Sequence, residues 1–232
     1  MDRLVGVPEL LDGPLDDRPA LVANLRDLTR LNRLTGGTRL SSRAIWRLLP
    51  DGADATVLDV GTGAADIPAN LVAEAARAGR SVHVTATDSR QEVLHAAVIA
   101  RPAVAAVRGI DLAIADGRRL PYPDGSFDVA HASLVLHHLG RTDAVAFLEE
   151  LRRVARIGIV INDLIRSRLN WIGAELLVHA VARGRYTRHD GPLSVRRAFT
   201  RDELDELVAA AGLVTIATEV GFAGHRIAIA AV

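Results

Sequence analysis

The stretch VLDVGTGAADIP, residues 57–68, sets Gly61 and Gly63 directly after an apolar run and flanks them with Asp59 and Asp66. Glycines at such a place let a ligand approach the backbone closely. The spacing departs from the dinucleotide pattern G-x-G-x-x-G/A, because its sixth position is Asp66. A carboxylate at a helix start competes with phosphates for the same amide groups and repels them, so a pyrophosphate is a poor guest. An acidic flank instead favours a ligand with a cationic part. Two further acids follow at regular intervals. Asp88 closes VHVTATD, where an acid accepts hydrogen bonds from ribose hydroxyls. Asp116, in IADGRRLPYP, stands where a carboxylate can accept from an adenine amino group. Taken singly, each has a structural reading as a turn residue or a helix cap.

A second group could move a proton. His137 and His138 are adjacent, and Asn162-Asp163 closes a later apolar run. An imidazole titrates near neutrality and suits a base for a hydroxyl, and Asp163 could orient it. The structural alternative is that one imidazole points into the fold and that Asp163 caps the next helix. His131, inside an apolar run, is expected to be a satisfied core histidine.

These residues need elements to carry them. Leu21, Leu25, Leu28, Leu31 and Leu34, then Ile45, Leu48 and Leu49, give helical spacing broken at Gly36-Gly37. From residue 55 strands and helices alternate: strand 56–60, helix 67–78, strand 82–87, helix 90–100, strand 111–115, strand 127–133, helix 142–155 and strand 157–162. Such alternation predicts a parallel sheet with helices on both faces, whose ligand lies at the strand C-termini. Helix 166–183 and a basic loop, RGRYTRHDGPLSVRRAF, come next. In FTRDELDELVAAAG, Thr200 and Glu203 predict a capping box, Phe199 and Leu204 a hydrophobic staple, and Gly212 the stop. The end reads as two strands around residues 221–224, a terminal β-hairpin. The expected fold is α/β: a Rossmann-like, doubly wound, seven-stranded and mostly parallel sheet with an antiparallel C-terminal hairpin strand. Residues 1–50 form a helical cap and 51–232 the core, with a helical lid inserted at about 165–199.

A ligand with a cationic centre, an amino-acid tail and a ribose fits the acids and glycines, and S-adenosylmethionine has all three. With VLDVGTG, TATDS, ADGRRLPYPDGSFDV and SLVLHHL in order, the chain resembles a class I S-adenosylmethionine-dependent methyltransferase over residues 55–165, and over the hairpin at 213–232. The resemblance implies that Asp59, Gly61, Thr62 and Gly63 line the methionine and ribose end. Asp88 with Ser89 would hold the ribose diol, Asp116 with Gly117 and Arg118 the adenine, and Ser133 the space after the fourth strand. Ala65 departs from the motif, where a third glycine often stands; its methyl is expected to narrow the turn.

Composition limits the acceptor. No cysteine is present, which excludes the thiolate nucleophile used for cytosine C5, as well as disulfides and cysteine-rich metal sites. All 28 basic residues are arginine, which excludes Schiff-base lysines and the P-loop signature. Net charge is zero, which gives no overall electrostatic footprint for nucleic acid and leaves only a local basic patch open. The place after the fourth strand lacks both the Pro-Pro-aromatic motif of DNA amino-methylating enzymes and the carboxylates of the metal-dependent catechol type, so no metal is expected. Helix 166–183 and the basic loop offer Trp171, Tyr186 and His189 as candidate substrate contacts. Together with the N-terminal helices they resemble bacterial small-molecule methyltransferases of phenolic polyketide or quinone pathways. That resemblance implies O-methylation, with C-methylation as the alternative, of a small hydrophobic or aromatic metabolite in secondary metabolism. A binding module that kept the cofactor but lost its chemistry, and a nicotinamide-dependent oxidoreductase, are the competing readings. The acidic, proline-interrupted N-terminus is unlike a signal peptide. The apolar run at 169–182 is too short to span a bilayer. A cytoplasmic monomer or homodimer is expected.

Overall fold

A computed structural model describes residues 1–52 and 54–232. Seven strands form one sheet in the order β3-β2-β1-β4-β5-β7-β6. They are β1 (Ala55–Val60), β2 (Val82–Asp88), β3 (Ile110–Ile114), β4 (Phe127–Ser133), β5 (Ala155–Leu164), β6 (Thr215–Val220) and β7 (Arg226–Ala231). The first five run parallel, and β7 lies antiparallel between β5 and β6. The chain winds outward from β1 in one direction and from β4 in the other. Their C-terminal ends therefore flank the crevice where such sheets bind ligands.

Alternation along the strands fixes the two faces. Val57, Val84, Val129, Val160, Ala228 and Ala230 point to one side, against Leu40, Ile45 and Leu48 of α2 (Gly37–Leu48) and Leu71 of α3 (Asp66–Arg77). Leu58, Ala130, Ile159, Ile161, Ile227 and Ile229 point to the other. There they meet Phe147, Leu148 and Leu151 of α5 (Arg141–Val154), and Leu204 and Leu207 of α8 (Arg201–Ala210). A one-residue slip in any strand would exchange these faces, so the pattern also sets the register. The capping box of Thr200 and Glu203 is present, and Gly212 takes the left-handed conformation that ends the element.

The N-terminal helix α1 (Arg18–Thr35) ends at Gly36, whose φ of 77° lets the chain turn at once into α2. Leu21 and Leu25 of α1 pack on Val93, Ala96 and Ala97 of α4 (Gln91–Ala100). One expectation fails. The segment taken for a basic loop is a helix, α7 (Arg185–Arg197), which follows α6 (Arg168–Val181) and contains Pro192. Its buried face carries Tyr186, Thr187, Asp190, Ser194, Val195 and Arg197, and most of these are polar. Hydrophobic periodicity cannot report such a helix. Two of its arginines have partners within the protein: Arg185 pairs with Asp17 at 3.0 Å and Arg188 donates to the Ala182 carbonyl.

Candidate active site

The turn after β1 is shaped by three left-handed residues, Gly61 (φ 72°), Gly63 (φ 52°) and Ala65 (φ 50°). A Cβ on Gly61 would lie 2.6 Å from Val135 Cγ2, so only glycine lets the segment after β4 close over the turn. Ala65 accepts a conformation disfavoured for an L-residue, and its methyl is fully buried in a cluster with Ala86 and Val104. Thr62 donates its backbone N–H to the Thr87 carbonyl at 2.8 Å, and its buried hydroxyl has no partner.

Asp88 ends β2 facing this turn. Its carboxylate accepts only the backbone N–H groups of Arg90 (3.1 Å) and Gly63 (3.4 Å), and burial raises its pKa above the ordinary value. A largely buried carboxylate with spare lone pairs beside two left-handed glycines fits a ribose diol. Ser89 is exposed next to it. Asp116 is held by the Arg118 fork at 2.7–3.2 Å, which pulls its carboxyl below the usual range. An adenine would have to share that carboxylate. Gly117 is required by packing, since a Cβ would lie 2.7 Å from both Phe147 and Val60.

Two expected cofactor contacts, Asp59 and Ser133, and the flanking acid Asp66 have partners within the protein. Asp59 is buried and bonded to His131 Nδ1 at 2.5 Å, while His131 Nε2 meets Ser41 at 2.8 Å; His131 is thus the satisfied core residue that was expected. Asp66 accepts from Asn32 and Thr38 of the N-terminal helices. The Ser133 hydroxyl accepts from Arg226 Nη2 at 2.7 Å. Buried Arg226 also donates to Asn162 Oδ1 (2.6 Å) and Asn32 Oδ1 (2.7 Å), and burial lowers its pKa to about 10. One guanidinium therefore joins β7, β5, β4 and α1 beneath the site.

Beside the segment that follows β4 lies a cavity of about 660 Å³. Leu28, Leu31, Leu134, Leu177 and Val195 are among its apolar walls, and His137 and His138 lie at its polar end. His137 is buried, its backbone N–H donates to Asp163 Oδ2 (3.1 Å), and its Nδ1 lies 2.7 Å from Asp163 Oδ1. That partner assigns the proton to Nδ1 and leaves the Nε2 lone pair free. Burial alone would raise the Asp163 carboxyl, but His137 and three hydrogen bonds hold it below its ordinary value. Asp163 does not cap α6; Ser167 does, accepting from the Asn170 N–H. His138 is set likewise by Asp12, at 2.8 Å from its Nδ1.

Glu9 is the member that local sequence could not announce. It precedes a short 3-10 turn (Leu10–Asp12) and reaches between the two imidazoles, with its oxygens 3.7 Å from His137 Nε2 and 3.8 Å from His138 Nε2. Burial drives its pKa up to about 7, against the Ser194 hydroxyl that donates to it. Asp190 of α7 pins the turn by accepting from Leu10 and Leu11, and Arg3 pins the other side by donating to the Leu139 carbonyl at 2.8 Å. Glu9, His137 and His138 have ligand atoms within 4.8 Å of one another, the set among the described residues best able to hold a cation. Arg197 already stands there, 3.6 Å from Glu9 and 2.6 Å from Asp12.

The proposed substrate contacts are not brought together. Trp171 lies on α6 outside the cavity lining, Tyr186 packs with Leu21, Leu25 and Val93 under the cap, and His189 turns to Asp190 at 2.8 Å. Helical geometry rotates each of the three off the cavity face.

Residues 58–161 match the methyltransferase domain family. No curated protein matches the sequence. Among solved structures the chain is similar to a SAM dependent methyltransferase from Aquifex aeolicus, at 20% identity and a TM-score of 0.63, over 90% of this chain and 97% of that one. It is also similar to the magnesium protoporphyrin IX methyltransferase ChlM from Synechocystis PCC 6803, determined with bound SAH (14% identity, TM-score 0.59, 86% and 83% covered). A third similar structure is the pyocyanin biosynthetic protein PhzM (18%, TM-score 0.59, 83% and 54%). The matched segment is a methyltransferase domain, and the sheet topology is that of the SAM-dependent methyltransferases to which the chain is similar. The nicotinamide reading is thereby set aside. No helix among the described residues is long and apolar enough to cross a membrane.

Proposed function

We propose that the chain O-methylates a small, hydrophobic or aromatic acceptor without a metal, with the acceptor hydroxyl placed at His137. The observation that carries this is the His137–Asp163 pair at an apolar cavity, on the segment after β4 that also closes over Gly61 through Val135. Bound S-adenosylmethionine supplies an electrophilic methyl group. The chain's residues supply the rest. Gly61, Thr62 and Gly63 with Asp88 hold the cofactor end. The cap (residues 1–50) and the insertion (about 165–199) enclose the acceptor and exclude water. His137 Nε2 would accept the proton of the acceptor hydroxyl, and Asp163 holds the imidazole in the required tautomer. His138 and Glu9 line the same polar end. Positioning is the larger contribution, of the order of 7–11 kcal/mol, and base action adds about 10²–10⁴-fold.

Metal independence is supported by Arg197, whose fixed charge already neutralises the Glu9–Asp12 side of the only such cluster among the described residues. Turnover of a phenolic acceptor should therefore survive exhaustive chelation. The base role predicts that His137→Ala lowers kcat at least 100-fold with little change in S-adenosylmethionine affinity. Its residual rate should rise toward pH 10, as the phenol ionises unaided. Equal turnover, or a loss that pH does not repair, would refute the base. A protein that binds the cofactor yet methylates no acceptor in a product screen by mass spectrometry would instead be the binding module.

A further inference from the structure

The cavity is larger than a hydroxyaromatic head requires. About 150 Å³ suffices for benzene, and here about 660 Å³ is open. The surplus is polarised. Buried Glu9 and His137 occupy one end, whereas the lining residues Leu34, Leu169, Ile172, Leu176 and Phe222 are exposed, Phe222 to 91% and Leu169 to 70%. Five exposed apolar side chains around one mouth form a patch that a soluble surface rarely carries without an apolar partner.

A second observation comes from α6. Gly173 lies inside this helix, on the cavity wall between Ile172 and Ala174, where a Cβ would meet nothing within 4 Å. A helix-interior glycine costs about 1 kcal/mol relative to alanine. Gly191 of α7, by contrast, is explained by packing, since its Cβ would lie 2.7 Å from Val178. Nothing in the helix packing asks for glycine at residue 173; what its missing side chain leaves open is the trough.

We infer that the acceptor is an amphiphile: a hydroxylated head at His137 joined to an unbranched aliphatic tail that runs along α6 past Gly173 and leaves between Leu34, Leu176 and Phe222. This rests on the methyl-transfer reading of the same cavity, and names the class of molecule that reading leaves open. A tail in that trough covers apolar surface that a compact acceptor would leave wet.

The test is a series of 4-alkylphenols with tails of one to twelve carbons, measured by calorimetry with and without S-adenosylhomocysteine, and by turnover with S-adenosylmethionine. Affinity should rise about fourfold per methylene, from the roughly 0.8 kcal/mol of each buried CH₂, until the tail reaches the mouth. Gly173→Phe should cut the long-to-short selectivity ratio at least tenfold, and Leu176→Asp should lower it in the same direction. A flat series overturns the proposal, as does a slope that both variants leave intact. So does co-sedimentation with phosphatidylcholine vesicles together with a flat series, which would make the mouth a bilayer seat. If cofactor binds and the tail slope is present but no phenol is methylated, the amphiphile stands and the hydroxyl reading fails. If short phenols are methylated as well as long ones, the reverse holds.

Discussion

At the scale of single residues, the candidate site is a set of side chains whose free atoms face one another because their other atoms are occupied. His137 and His138 each give Nδ1 to a carboxylate and turn Nε2 toward Glu9. Glu9 has the more consequential environment. Folding raises its pKa from 4.5 to about 7 through burial, so the native protein keeps a proton that the unfolded chain releases between those values. The stability this contributes is present below pH 4.5 and lost as pH rises through 7. The shift corresponds to roughly 3 kcal/mol. Glu9→Gln, which cannot titrate, should remove that pH dependence. The difference between wild-type and Glu9→Gln unfolding free energies, measured in urea at intervals from pH 4 to 8.5, should fall by about that amount across the window. Parallel profiles would show that Glu9 is ionised throughout and that its surroundings are more polar than its burial implies.

At the scale of elements, what was legible in the sequence is what depends on period. Alternation in β1, β4, β5 and β7 gives the sheet, and TRDE gives the start of α8, because each is written in neighbouring residues. The acids at the ends of β1, β2 and β3 were legible as positions, yet Asp59 and Asp116 turned out to have intramolecular partners. Position along a strand is local, and the partner of a side chain is not. Glu9 and Arg226 were invisible for the same reason: an acidic segment and a β-hairpin give no hint that they close on residues after β4. Helix α7 escaped because Gly191-Pro192 reads as a turn and its buried face is polar. Arg226 shows what such a non-local residue holds together. Replacing it by Met would leave Asn162 Oδ1 and Asn32 Oδ1 buried without donors and free Ser133, so Arg226→Met should destabilise by about 3 kcal/mol or more. Arg226→Lys should rescue only part of this, since an ammonium cannot span three acceptors on different elements. Chemical denaturation of the two variants checks the order; a lysine variant as stable as wild type would mean that one of these bonds carries the whole effect.

At the scale of the molecule, the two halves of the site belong to different parts of the chain. On the proposed reading the cofactor side is made by the turns after β1, β2 and β3, and the acceptor side by residues 1–50, the insertion and the hairpin, with the segment after β4 joining them: Val135 lies over Gly61 and His137 lines the cavity. Cofactor binding should therefore stabilise the native state as a ligand does, without needing the acceptor. At a free concentration one hundred times Kd the gain is about 2.7 kcal/mol. For a chain of 232 residues this corresponds to a Tm increase of roughly 5–11 °C. Asp88 is the group on which the increase should most depend, because it is largely buried and bonded only to two backbone N–H groups, so its remaining lone pairs are available to the ligand. Asp88→Asn should keep the fold and lose most of the shift, while His137→Ala should keep the shift and lose turnover. Differential scanning fluorimetry with S-adenosylhomocysteine on both variants separates the halves. If Asp88→Asn shows an undiminished shift, Asp88 is not the ribose acceptor; if His137→Ala abolishes it, the two halves of the site are one structural unit.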